Sequence, residues 1–200
     1  MELRGPLSWR IGVRRFDHLV DCALWIRAGE RIEVPAHRLV PGPLDLDEPP
    51  DPSRPLGFVP GAEWLGWWLS LVDPAGQRPR PRTDLEPADD TPDPLGLAPW
   101  PALRQVVAER WPQARDWHTA RQRDWFARVG PGNTATNEAV RQVERSLGRT
   151  VRPFSVEIVL LPVRDEVIRR VDQHRYLVPE RVHDSPRWSV WLRSLVLRIG

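Results

Sequence analysis

The sequence predicts an α+β fold, a mostly antiparallel sheet with helices packed on it. Three patterns point that way. Apolar and polar residues alternate near the amino terminus, with the period of half-buried strands. A second strand-like run, FSVEIVLLPV, covers Phe154 to Val163. Elsewhere apolar residues recur at helical spacing, in stretches that carry their own start and stop signals.

The first strand is read from Leu7, Trp9, Ile11 and Val13, which alternate with Ser8, Arg10, Gly12 and Arg14. Val20, Cys22, Leu24 and Ile26 repeat the alternation and predict a second strand. RAGER then reads as a turn, and Ile32 and Val34 as a third strand closed by Pro35. Together they predict an antiparallel N-terminal meander, although Leu19 and Trp25 fall on its other face.

Residues 41–60 are rich in proline and acid and read as a partly ordered loop. Trp64, Trp67, Trp68 and Leu71 follow at spacing i, i+3, i+4, i+7, with Leu65, Leu69 and Val72 on the neighbouring face. A helix apolar on most sides belongs in a core, so the tryptophan triplet reads as packing. Residues 73–99 form a second proline-rich, acidic stretch, with too little apolar surface to offset its ordering entropy. The chain is therefore expected to be a single α+β domain, 1–200, with an excursion at 73–99.

Two helices are expected at 101–110 and 112–129, each opening on a proline. A third, 134–147, follows a threonine cap, presents Ala139, Val140, Val143 and Leu147 on one face, and stops at Gly148. The strand near 154–162 is apolar on both faces in its middle, which places it centrally in the sheet. RYLVPERV supplies another short strand. Ser185 caps a final helix that Pro186 starts, and Trp188, Trp191, Leu192, Leu195 and Ile199 form its buried stripe.

Composition excludes several classes. A single cysteine, Cys22, rules out an intrachain disulfide and a multi-cysteine zinc site. No apolar run has the length of a signal peptide or a membrane span, so a soluble cytoplasmic protein is expected. All 29 basic residues are arginines. With no lysine and one tyrosine, little titrates between about pH 8 and 12, so a net charge of +2 by itself lifts the isoelectric point to 9.4. That value is no argument for nucleic acid. Charge is nevertheless polarised: net +2 over 1–41, −7 over 42–99 and +7 over 100–200.

Signatures of hydrolases, phosphate loops and metalloenzymes are missing from the sequence. His183, Asp184 and Ser185 are adjacent, which denies them the geometry of a triad. Cys22 sits in an apolar pattern and is expected to be inert. The loop GPGNTAT, with Gly130, Gly132, Asn133 and Thr134 before a helix start, is a weak candidate for anion binding. One constellation stands out on the helix 112–129. Trp117, Arg121 and Trp125 lie four apart in succession, and Arg128 follows by three. If Phe126 anchors the helix, this sector faces outward as an interface hot spot. If the tryptophans anchor it, Arg121 lies at the core boundary and Phe126 is exposed.

By elimination the sequence predicts a non-catalytic protein–protein interaction or regulatory module, with Trp117, Arg121, Trp125 and Arg128 meeting a protein partner. No cofactor, metal, specific nucleic acid or membrane contact is expected. The alternative is an enzyme whose site assembles only in the fold, with Asp17, His18 or His183 among its groups. A weak nucleic-acid binder, using the +7 half, comes third.

Overall fold

The computed structural model describes residues 9–46, 50, 58–72, 97–128 and 135–200. Four strands form one sheet in the order β1 (Trp9–Arg14), β2 (Phe154–Leu161), β4 (Arg175–Pro179), β3 (Arg169–Arg170). β1 runs parallel to β2, with Trp9 opposite Phe154 and Arg14 opposite Val159, and β2 runs parallel to β4. Only the two-residue β3 is antiparallel, pairing Arg169 with Leu177. The α+β class holds, but the sheet is mixed and mostly parallel rather than mostly antiparallel.

The meander fails at its second strand. His18–Gly29 is a helix, α1, with Asp17 as its N-cap accepting from the Val20 amide at 3.2 Å. Its alternating apolar residues are accompanied by buried Asp21 and Ala23, so burial wraps around most of the segment. A helix enclosed on most sides carries no clean amphipathic period, and its sequence is easily mistaken for a strand. Ile32 and Val34 form no strand either. α1 ends at Gly29, and Arg31 turns the chain in the left-handed region (φ 52°). With 18–29 helical, β2 is the next strand after β1 among the described residues, and the long connection supplies the crossover that a parallel pair requires.

α2 (Gly61–Val72) buries Trp64, Trp67 and Trp68 as expected. The indole N–H groups of Trp64 and Trp68 donate to the carbonyls of Ala23 (3.0 Å) and Leu39 (2.8 Å), and the two rings stack. Gly61 admits this helix: a Cβ there would stand 1.8 Å from the Glu33 carbonyl oxygen. The two helices expected at 101–110 and 112–129 are one, α3 (Pro101–Arg128), continuous through Pro112. Buried Val106, Val107, Trp111 and Ala114 on either side hold it against the core, and this packing overrides the missing amide of Pro112. Of the expected excursion at 73–99, residues 73–96 lie outside the described residues, and 97–99 turn into α3.

α4 (Ala135–Leu147) buries Ala139, Val140 and Val143 and is followed by Gly148 in the left-handed region (φ 63°). α5 (Glu180–His183) is one turn directly after β4, and α6 (Pro186–Ile199) is capped by Ser185. Helices cover both faces of the sheet. Val159 and Leu161 of β2 join Leu177 against α1, α2 and α3, whereas Val156, Ile158 and Leu160 join Tyr176 and Val178 against α4 and α6. This double burial explains why β2 reads as apolar on both faces.

Candidate functional site

Because β1, β2 and β4 are parallel, their carboxyl ends lie on one edge of the sheet. The residues that follow each strand gather there: Arg15 to His18 after β1, Pro162 to Asp165 after β2, and Glu180 to Asp184 after β4. Residues 41–46 close over the end of β2. Leu44 bridges Val163, the Asp45 amide donates to Pro162 (2.8 Å), and the Arg164 amide donates to Pro43 (2.9 Å).

Two polar ties fix α3 against α1. Buried Glu30 accepts from Arg110 Nε at 2.5 Å toward one end. Toward the other, Asp21 Oδ2 lies 2.9 Å from His118 Nδ1 and accepts from Arg121 Nη1 at 2.7 Å. The second nitrogen of Arg121 reaches Glu180. Glu180 also stands 3.4 Å from Arg15, and Arg15 pairs with Asp184 beside His183. A continuous polar chain therefore runs from α3 through α1 to the turns after β1 and β4.

The chain is electrostatically uneven. Asp21 is fully buried, and burial pushes its carboxyl up to about 6 against the pull of His118 and Arg121. Its Oδ1 has no hydrogen-bond partner among the described residues. Burial also opposes ionisation of Asp184, but hydrogen bonds from His183 and Arg15 outweigh it and hold that carboxyl below the usual range. Burial resists the charge of Asp165 in the same way, and Arg169 with the Val167 and Gly42 amides overcomes it.

Beside this chain opens a cleft of about 560 Å³. Trp117, Arg121, Asp124 and Arg128 of α3 form one side; Asp45, Leu46, Pro162 and Glu180 face them. Arg121 is held in this wall, its guanidinium 4.9 Å from the ring centre of Phe16 and 5.7 Å from that of Trp117. Trp125 belongs to a different group: it packs edge-on against Phe16 (5.6 Å) and Phe126 (5.0 Å), with Arg15 over its ring. Phe126 is 60% exposed and the Arg121 side chain only 15%, so Arg121, with half-buried Trp117 and Trp125, lies at the core boundary, while Phe126 and Arg128 are exposed.

Compared with protein-family models, curated proteins and solved structures, the chain finds no match.

Of the four residues singled out from sequence, Trp117, Arg121 and Arg128 line the cleft and Trp125 does not. Gly130, Gly132, Asn133 and Thr134 lie outside the described residues. Asp17 caps α1 and pairs with Arg14 (3.0 Å), and His18 packs against His118 and Trp111. Cys22 is buried on α1, inside the core. The partners that define the site, Asp21, Asp45, Asp124 and Glu180, went unread. Asp21 alone left a signal, an acid inside an otherwise apolar run. Among the described residues no group of three or more His, Cys, Asp or Glu is placed to hold a metal ion, and no helix is long and apolar enough to cross a membrane.

Proposed function

We propose that the protein binds a small polar molecule in the carboxyl-edge cleft, as an enzyme-like domain whose site assembles only in the fold. One observation supports this above the others: Arg121 is locked between Asp21 and Glu180 into the wall of a concave site beyond the ends of parallel strands. Ligands of open parallel sheets bind at that edge, and convergent polar groups in a cleft mark such sites. Arg121 is fixed, so the groups left to meet a ligand are Asp124 and Arg128, one helical turn apart. They suit a bipolar ligand, with an anionic group toward Arg128 and a cationic or donor group toward Asp124. With Glu180 held by Arg15 and Arg121, and Asp45 by Arg164 and Arg181, Asp124 is the candidate proton-transfer group. A cytoplasmic setting belongs to the same reading.

A second reading, the protein-docking module, is supported by exposed Phe126, which packs on half-buried Phe16 and Trp125 with Arg15 over the Trp125 ring. The two readings separate by substitution. Small zwitterions and amino-acid-like compounds are screened for raised melting temperature on the parent, Asp124→Asn, Arg128→Ala and Phe126→Ala. The cleft reading expects hits that lose about tenfold or more in affinity in the first two variants and nothing in the third. A panel without saturable hits, together with a protein partner lost only in Phe126→Ala, would establish the docking module instead.

A further inference from the structure

A second cavity, of about 300 Å³, lies between the carboxyl-terminal turn of α1 and residues 42–46. Leu24, Ala28, Ile32, Leu44 and Leu46 supply an apolar lining, and Arg27, Arg31 and Arg164 stand around it. Leu46 is shared with the carboxyl-edge cleft, so the two sites are neighbours.

Among the described residues, the charges at this cavity are unbalanced. Arg164 is committed, 3.6 Å from Asp45 and bonded to the Leu46 carbonyl. Arg27 is partly buried, donates to the Pro41 carbonyl at 2.6 Å and lies over the Trp64 ring. No carboxylate of the described residues is ion-paired with it. The charged group that acts on it is another cation, Arg169, and burial together with that neighbour weakens its hold on its proton. Arg31, also without an acidic partner among the described residues, is the non-glycine residue held at positive φ, at the cavity rim. A partly desolvated guanidinium gains most from an anion that arrives already attached to apolar surface. The end of a helix attracts cations, which accounts for Arg27 being there. It does not account for an apolar cavity beside it, or for the strained Arg31.

We propose that this cavity is a binding site for a small apolar carboxylate, with its carboxylate between Arg27 and Arg31 and its hydrocarbon body against Leu24, Ile32 and Leu44. The volume sits at the small end of ligand pockets, which limits the body to about ten carbons. A planar carboxylate matches the guanidinium fork, and costs less to desolvate beside apolar walls than a phosphate dianion.

The test is calorimetric titration of the full chain with octanoate, octanamide and inorganic phosphate. Octanoate is expected to saturate one site below about 1 mM. Octanamide, of the same length without the charge, is expected to bind at least about tenfold more weakly, and phosphate not measurably. Arg31→Ala, at an exposed position, should weaken octanoate about fivefold or more. Ala28→Leu, which fills the cavity and keeps every charge, should do the same by a separate route. Asp124→Asn, in the neighbouring cleft, should leave octanoate binding unchanged, so the two sites stand or fall separately. Equal binding of octanoate and octanamide, insensitivity to both Arg31→Ala and Ala28→Leu, or no saturation would each overturn the proposal.

Discussion

Asp21 shows what a single residue can impose. Its carboxyl is buried and titrates at about 6 rather than 3.8. The folded state therefore binds this proton more tightly than the unfolded state does. Stability from Asp21 is full while both states are protonated, and it is lost as pH rises from about 4 through 6. Asp165 and Asp184, whose folded values are depressed, act in the opposite sense: their stabilisation is present above the unfolded carboxylate range and lost in acid. We expect Asp21→Asn to flatten the decline between pH 4 and 6, worth on the order of 2–3 kcal/mol, and to leave the acid limb intact. Urea titrations at half-unit pH intervals measure this. An unchanged slope would mean that Asp21 is ionised across the range. At this scale the sequence was partly legible. The spacing of Trp117, Arg121, Trp125 and Arg128 marked this helix as a protein contact; three of the four line the cleft instead, and Arg121 points inward to acids roughly 60 and 100 positions away. No local pattern encodes partners at such separations.

Elements were legible where one face is buried and the other wet. α6, with Ser185, Pro186 and an intact stripe, is the clear example, and α4 with Gly148 is another. α1 was not, because neighbours enclose it and the contrast that betrays a helix disappears. α3 was read as two because Pro112 is a local breaker, and packing along Val107, Trp111 and Ala114 outweighs it. Two expectations follow. Trp68→Ala removes a fully buried ring and its bond to Leu39, and should cost about 3–5 kcal/mol by denaturant titration. Pro112→Ala restores an amide to an exposed helix position and should raise stability by roughly 1–3 kcal/mol. A melting temperature that falls instead would show that the Pro112 ring is itself a packing group.

For the whole molecule, the decisive fact is that the central strand arrives late. β2 pairs with β1 on one side and β4 on the other, and separates the two helical layers. A chain ending at Thr150 keeps four of the helices and β1 but has no sheet. It should show no cooperative unfolding transition, by circular dichroism or calorimetry, whereas the full chain should show one. Sheet order was the least legible level of all. Parallel and antiparallel pairings use the same strand pattern, and the choice between them here turned on whether residues 18–29 are helix. The pairing of Trp9 with Phe154 has a further cost, in time. During synthesis at about 5–20 residues per second, β1 is made roughly 7–30 s before its partner. Its Trp9 and Ile11 side chains stay uncovered throughout that interval. The cell must tolerate, or shelter, a nascent chain in which β1 waits for β2.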